Sequence, residues 1–290
     1  MTACVRLGRT LALGAALLAA AGCRPVLRPR PSAPVTKPQT PLPPPPQPLP
    51  PTLSLPILMY HHIAEPPAQV GGFVAQLYVR PQAFAEQMAY LRKAGYHLVT
   101  AGELAGVLLG ERGLPKKPAV LTFDDGYEDF YANAWPVLQQ YGFKATLFVS
   151  TNAVGTPGHL TWDQLRELRD AGMEVAAHGV THRSLTRMSL EAAQRELADS
   201  KRTIETRIGA PVRVFSYPTG AYNADVVFAV AAAGYDAAVT ADGGVVQDVS
   251  RPYELKRSRI KLRHDLGLFR ARIGVGSSGK GGRATASPST

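Results

Sequence analysis

Two carboxylates and two imidazoles follow two apolar segments of this 290-residue chain. Asp124 and Asp125 come directly after one segment, and His178 and His182 come after the other. A divalent cation that keeps one coordination position open needs about three protein ligands of the Asp or His type, and it lowers the pKa of a bound water to about 7. One carboxylate can bind such a cation while its neighbour stays free as a base. The pattern therefore predicts a metal centre that activates water.

Each half of this pattern has an ordinary explanation when it occurs alone. An Asp-Asp-Gly sequence is usually a solvated turn, and two histidines four residues apart are usually surface or core residues. Their joint occurrence after two hydrophobic segments favours the metal centre. Successive strand residues point to opposite faces, so Asp124 and Asp125 can act together only where the strand has ended and the chain turns. Gly126 supplies the backbone freedom for that turn.

Strand-like and helix-like segments alternate along the chain. The predicted strands cover residues 55–60, 97–100, 119–123, 144–149, 173–177, 213–217 and 236–240. The predicted helices cover residues 81–93, 103–109, 127–141, 162–170, 190–207 and 224–233. This order predicts parallel strands joined by crossover helices, and hence an α/β barrel or a doubly wound sheet. In both architectures functional residues lie at the carboxyl ends of strands, where Asp124, Asp125 and His178 stand.

The N-terminus is typical of a secretory signal. Arg6 and Arg9 precede an apolar stretch that is too short to span a membrane, and residues 1–22 are interpreted as the signal. The stretch ends in Ala-Ala-Gly followed by Cys23, which resembles a bacterial lipoprotein processing site whose cysteine carries the lipid. An ordinary signal peptide with an incidental cysteine is the alternative. Cys4 and Cys23 are the only cysteines, so removal of the signal leaves no intrachain disulfide possible.

Three further segments follow from composition. Residues 23–54 are rich in proline, which predicts an extended tether that holds a domain off a membrane, or else a ligand for a proline-binding module. Residues 55–273 are long enough for one large domain. The Gly- and Ser-rich residues 274–290 are interpreted as a disordered tail.

The net charge is basic, at +10 for the whole chain. Such a surface suggests anionic neighbours, such as envelope polymers or lipid headgroups. The basic residues are scattered apart from a cluster at 256–261, and no nucleic-acid-binding motif accompanies them. We therefore expect no nucleic-acid partner. A serine esterase is also disfavoured, because the chain has no Gly-x-Ser-x-Gly sequence.

These motifs together resemble the polysaccharide deacetylase family, also called carbohydrate esterase family 4 or the nodulation-type deacetylase domain. The resemblance extends over most of residues 56–273 and rests on five segments, at 56–63, 121–127, 145–149, 178–182 and 215–220. It implies a distorted (β/α) barrel with fewer than eight units. It also implies one divalent cation, zinc or alternatively cobalt or nickel.

The resemblance implies a role for each matching residue. Asp125, His178 and His182 would bind the metal, and Asp124 would be the catalytic base. The backbone N–H of Thr219 would bind the oxyanion that forms when hydroxide attacks an acetamide carbonyl. His61, at the end of the first predicted strand, is a candidate for substrate binding, the alternative being a strand-end histidine satisfied by the backbone.

The chain also departs from the family pattern. Gly179 replaces a Ser or Thr that commonly braces the histidine loop, so the loop would be looser or braced by Thr181. Ser216 stands near where many members carry an arginine that pairs with the base, and Arg259 is predicted to take that role. His264, in a late Leu-x-His sequence, is a candidate general acid, the alternative being a surface histidine.

The resemblance therefore predicts a metal-dependent hydrolase that removes N-acetyl groups from a polysaccharide containing N-acetylglucosamine. Poly-β-1,6-N-acetylglucosamine is the favoured substrate, because the Met-Tyr-His opening at residues 59–61 resembles the subset of the family that acts on it. Peptidoglycan, chitin oligomers and O-acetyl xylan are the alternatives, as is a non-catalytic glycan-binding lipoprotein. Arg24 after Cys23 favours anchoring in the outer membrane, facing the periplasm.

Overall fold

The structure is a computed structural model that describes residues 48–274. The predicted signal, most of the predicted tether and nearly all of the predicted tail lie outside the described residues. Within residues 48–274, no helix is long and apolar enough to cross a membrane.

Strands and helices alternate through the described part of the chain. The strands are β1 (Thr52–Ser54), β2 (Ile57–Tyr60), β3 (His62–Ile63), β4 (Tyr78–Val79), β5 (His97–Val99), β6 (Pro118–Asp125), β7 (Thr146–Val149), β8 (Glu174–Ala177), β9 (Val214–Ser216), β10 (Ala237–Gly243), β11 (Val246–Asp248) and β12 (Leu255–Arg259). The helices are α1 (Gly72–Ala75), α2 (Pro81–Lys93), α3 (Ala101–Leu108), α4 (Trp135–Tyr141), α5 (Trp162–Asp170), α6 (Leu190–Ile208), α7 (Ala224–Ala232) and α8 (Leu266–Arg272).

Seven parallel strands close into a barrel. Their order is β2, β12, β10, β9, β8, β7 and β6, and β6 pairs with β2 to complete the ring. An eighth strand, β5, pairs in parallel with residues 118–120 at the start of β6. The structure therefore confirms the predicted distorted (β/α) barrel with fewer than eight units.

Side chains that alternate along the strands fill the barrel interior. One buried cluster contains Ile57, Val120, Phe148, Ala176, Val214 and Leu255, together with Leu104 of α3. Because the period of a strand is two, Thr122 and Asp124 follow Val120 on the inward face. The base is thus carried inside the barrel by the same alternation that builds the core.

Local signals explain the helix boundaries. The helices α2 and α5 have the predicted bounds, and α5 begins with a capping box between Thr161 and Gln164. The segment predicted as one helix over 127–141 is instead a π-helical turn at Phe130–Ala134 followed by α4. Proline in the first turn of α4 is compatible with a helix start there.

The sequence prediction missed the strands that complete the domain. Thr52–Ser54, assigned to the tether, forms β1 and pairs antiparallel with β11, so the folded domain begins before residue 55. The basic cluster at 256–261 contains most of β12, the strand that closes the barrel between β10 and β2.

Candidate metal centre

Asp125, His178 and His182 converge at the carboxyl ends of β6 and β8. One carboxylate oxygen and one imidazole nitrogen from each histidine lie within 4.8 Å of one another. Asp125 Oδ1 is 3.5 Å from His178 Nε2 and 3.1 Å from His182 Nε2. One carboxylate and two imidazoles form a donor set that suits zinc and leaves a coordination position for water or substrate.

The tautomer of His178 fits this role. Its Nδ1 lies 2.7 Å from the carbonyl oxygen of Ser216, which can only accept a hydrogen bond. The proton is therefore on Nδ1, and the lone pair of Nε2 faces the other two candidate ligands. A backbone carbonyl that orients a ligand histidine in this way is a common feature of metal sites.

The site stores backbone strain in three residues. Asp125, His182 and Thr219 have φ values of 72°, 57° and 63°, in the left-handed region that residues other than glycine rarely adopt. At Asp125 this conformation turns the chain at the end of β6, so that adjacent carboxylates can serve one site. Strain of this kind persists where the surrounding structure fixes the conformation, and it is common at functional sites.

Asp124 is held by an arginine instead of joining the ligands. Arg257 donates to both of its carboxylate oxygens, at 2.7 and 2.8 Å. The other donors of this fully buried guanidinium reach the carbonyl of Thr240 and the hydroxyls of Thr122 and Ser216, so all five N–H groups are used. The carboxylate is thus fixed next to the metal ligands by a bidentate ion pair.

This pair corrects the prediction for Arg259. The partner of Asp124 is Arg257, two residues earlier on the same face of β12. Ser216 stands where a longer side chain was expected, and its hydroxyl accepts a hydrogen bond from Arg257 at 3.1 Å. A small residue on β9 therefore gives the guanidinium from β12 room to reach the base.

Burial and charge set the protonation states of the centre. Burial alone would raise the pKa of Asp124, but the Arg257 guanidinium outweighs it and holds that pKa below the usual range. Burial lowers the pKa of His178, whereas a hydrogen bond to Asp125 raises that of His182. Asp124 is consequently ionised and His178 neutral near pH 7, which are the states that a base and a metal ligand need.

A cavity of about 210 Å³ opens over these residues. Its lining includes Asp124, the three candidate ligands, Thr219, His61, Arg257 and Arg259. The backbone does not satisfy His61, since its buried Nδ1 has no hydrogen-bond partner among the described residues. Burial lowers the pKa of His61 to about 4, so the cavity contains a neutral imidazole. Both candidate substrate-binding residues, His61 and Thr219, therefore line this cavity.

The structure does not support His264 as the general acid. The ring is buried, it does not line the cavity, and its Nδ1 accepts a hydrogen bond from the backbone N–H of Lys261 at 3.2 Å. Burial lowers its pKa to about 4. His264 is therefore a buried residue of the turn after β12, outside the lining of the cavity, and it is not a surface histidine.

Glu196 of α6 braces the loop that carries the two histidines. Its carboxylate accepts hydrogen bonds from the backbone N–H groups of Val180 and Thr181, at 2.7 and 3.0 Å, and from the Thr181 hydroxyl at 2.7 Å. Thr181 was predicted to brace this loop, and in the structure it does so together with Glu196, which accepts its hydrogen bonds. Sequence reasoning missed Glu196, because it lies in an amphipathic helix and resembles any solvated glutamate.

We expect Glu196→Ala to weaken metal binding by about tenfold or more, because the loop that carries both histidines would lose its support. Removal of residues that orient metal ligands usually has an effect of this size. Glu196→Gln, which keeps one carbonyl oxygen for the loop N–H groups, should restore most of the affinity. Competition with a chelator measures the dissociation constant. Glu191→Ala, at an exposed position of the same helix, is the control, and an equal loss in both alanine variants would contradict the brace.

Comparison with known proteins finds relatives of this chain both by sequence and by fold. The sequence model described as polysaccharide deacetylase matches residues 111–238. YxkH of Bacillus subtilis, provisionally named a polysaccharide deacetylase, is 34% identical over 206 residues, which are 71% of each chain. The structure of the Streptococcus pyogenes deacetylase PplD in complex with acetate superimposes with a TM-score of 0.69 at 30% identity, covering 76% of this chain and 97% of that one.

A third relative has a named substrate. The poly-β-1,6-N-acetyl-D-glucosamine N-deacetylase of Escherichia coli K12 is 33% identical over 146 residues. The matched part is 40% of this chain, and it spans only 22% of the length of the Escherichia coli protein.

Proposed function

The chain belongs to the polysaccharide deacetylase family, and on this premise we propose that it is a metal-dependent enzyme that removes N-acetyl groups from poly-β-1,6-N-acetylglucosamine. One observation carries the proposal. Asp124 is an ionised carboxylate beside three candidate metal ligands, and Arg257 prevents it from becoming a fourth. A glycan-binding protein without activity has no need of such a base.

The chain's own residues account for the proton transfers. A divalent cation held by Asp125, His178 and His182 supplies Lewis-acid chemistry, which acidifies water and polarises an amide carbonyl. Asp124 accepts the proton of the water that attacks the acetamide carbon. The proton is then available to the departing nitrogen, so that water and amide become acetate and amine.

Two further groups face the reacting acetamide. The backbone N–H of Thr219 is placed by the strained turn after β9 and donates to the oxyanion that develops on the carbonyl oxygen. His61, neutral because of its burial, offers its unpartnered Nδ1 to a substrate hydroxyl or amide. Both contacts would orient the sugar so that the acetamide meets the attacking water.

The Escherichia coli relative supports the β-1,6-linked polymer as substrate. The test is acetate release from N-acetylglucosamine oligomers with β-1,6 or β-1,4 linkages, and from peptidoglycan. We expect the β-1,6-linked oligomers to give the highest kcat/KM. Preference for a β-1,4-linked oligomer would indicate a chitin-type substrate, and preference for peptidoglycan would indicate a cell-wall enzyme. No acetate from any of them would refute the proposed function.

We also propose that the protein is exported and anchored to the outer membrane through a lipid on Cys23. The support is the short apolar stretch that ends at this cysteine. Labelling cells with palmitate should mark the wild-type protein and leave Cys23→Ser unlabelled. Equal labelling of the two proteins would refute the anchor.

A further inference from the structure

Arg257 and Arg259 lie on the same face of β12, and of the two only Arg257 forms an ion pair. Arg257 uses all five donors on Asp124 and three neutral acceptors. The guanidinium of Arg259 makes no hydrogen bond or ion pair with any residue in the range 48–274. It nevertheless lines the cavity above the metal centre.

Arg259 lies against an aromatic ring at the edge of this cavity. Its guanidinium carbon is 5.4 Å from the centre of the Phe73 ring, within the range of a cation–π contact. Phe73 also lines the cavity and is 67% exposed, although it is a large apolar residue. Arg259 is partly buried, and this burial and the nearby Arg257 lower its pKa, whereas Asp124 and Asp125 raise it. A partly desolvated cation without an acceptor favours a ligand that supplies one.

The two side chains suit different parts of one sugar residue. An exposed aromatic face is apolar and rigid, and it can cover the C–H face of a pyranose ring. A guanidinium offers N–H donors only, so its partner must carry an acceptor oxygen. The acetamide carbonyl of N-acetylglucosamine is such an acceptor, whereas the ammonium group left by deacetylation is a donor and a cation.

We propose that Arg259 and Phe73 form a subsite for the sugar next to the reacting one, and that this subsite requires the neighbour to keep its N-acetyl group. The inference rests on the proposed function and specifies its substrate further. Phe73 stacks on the neighbouring ring, and Arg259 donates to its acetamide carbonyl. A deacetylated neighbour loses that acceptor and brings a second positive charge to an unpaired arginine.

This subsite would space the products along the polymer. Each amine that the enzyme produces makes the adjacent unit a poorer substrate. When that adjacent unit lies in the reacting position, the ammonium group of its deacetylated neighbour would lie in the subsite, next to Arg259. Two unit charges about 6 Å apart in a partly hydrated cleft repel each other enough to change binding on the order of tenfold. Deacetylation would therefore be sparse and would avoid neighbouring units.

The test uses three β-1,6-linked oligomers that share a reacting N-acetylglucosamine and differ in its neighbour. The neighbour is N-acetylglucosamine, glucose or glucosamine, which present an acetamide, a neutral hydroxyl and an ammonium group. For the wild type we expect kcat/KM to fall in that order, by about tenfold or more between the first and the last. Arg259→Met, which keeps an apolar stem against Phe73, should bring this ratio to within about twofold.

Matched variants test whether the positive charge of Arg259 causes the discrimination against glucosamine. Arg259→Lys keeps the positive charge and should keep discrimination against glucosamine. Lys256→Met removes one charge from an exposed position of the same strand and should retain the wild-type ratio. In an Asp124→Asn background, in which turnover is slowed, dissociation constants measured by calorimetry should show the same preference, and Phe73→Ala should weaken binding of all three oligomers.

The same experiment distinguishes this inference from the proposed function. Acetate release with an equal ratio in wild type and Arg259→Met would overturn the subsite alone. A wild type without preference among the three neighbours would do so as well. No acetate from any oligomer would overturn the proposed function, and the subsite with it.

Discussion

Asp124→Asn should lower turnover by about 10² to 10⁴-fold while the metal content stays at the wild-type level, the usual scale for loss of general acid–base catalysis. The amide has nearly the shape of the carboxylate, but it cannot take a proton from water. Asp124 makes its ion pair with Arg257 and lies outside the ligand cluster, so its replacement leaves the three donors in place. Acetate release and metal analysis of the purified variant measure the two quantities.

Asp125→Asn is the matched control, because it makes the same change one residue away. It removes the only negative charge among the three candidate ligands, so metal binding should weaken first and turnover should fall with it. Excess metal should recover activity in Asp125→Asn and leave Asp124→Asn inactive. If Asp124→Asn loses its metal while Asp125→Asn keeps it, the assigned roles are reversed.

Arg257→Met should lower the free energy of unfolding by about 3–5 kcal/mol at pH 7, the usual cost of leaving a buried charge unpaired. Asp124 is buried, and the variant lacks the guanidinium that most strongly offsets the effect of burial, so the pKa of Asp124 should rise. Urea denaturation measures the stability, and the pH dependence of kcat/KM should show its acidic limb at higher pH than in the wild type. Arg259→Met, which removes an arginine without an ion pair, is the control and should cost much less.

The loss of stability in Arg257→Met should depend on pH in one direction. In the wild type the folded pKa of Asp124 is depressed, so its pair with Arg257 stabilises the protein above about pH 4, the unfolded pKa, and loses that effect as pH falls through the folded pKa. In Arg257→Met the folded pKa of Asp124 is raised, so the free energy of unfolding increases as the pH falls and Asp124 takes up a proton. The difference between the two proteins should therefore shrink from pH 7 towards pH 4. A constant difference would contradict the ion pair as its cause.

The convergence of these aspartates and histidines could be predicted because local signals and topology agree on it, whereas the separate roles of Asp124 and Asp125 came from the family resemblance. Parallel strands end at one rim of a barrel, so polar residues after two such strands must converge. Asp125, His178 and His182 do so, and the left-handed conformation of Asp125 is the turn that an Asp-Asp-Gly sequence was expected to need. Helices with caps, such as α5, were placed correctly for the same reason.

Arg257 could not be identified in this way, because its role depends on a partner 133 residues away. Basic residues along a strand are usually part of a solvated surface. The role of Arg257 in β12 follows only from the closed barrel, which brings this strand close to Asp124. Glu196 is a similar case, since its hydrogen bonds join a helix to a loop 15 and 16 residues earlier. His264 shows the opposite case: a local motif matched, but the ring is buried in the turn after β12 and is not among the residues that line the cavity.

The requirement for a metal can be tested by titrating the metal-free wild-type protein with zinc while acetate release from a β-1,6-linked N-acetylglucosamine oligomer is followed. Activity should be absent after chelation, rise in proportion to added zinc and level off at one ion per chain, since one cluster of three donors is found among residues 48–274. Cobalt or nickel should also restore activity. Full acetate release from protein shown to be free of metal would contradict a metal centre at Asp125, His178 and His182.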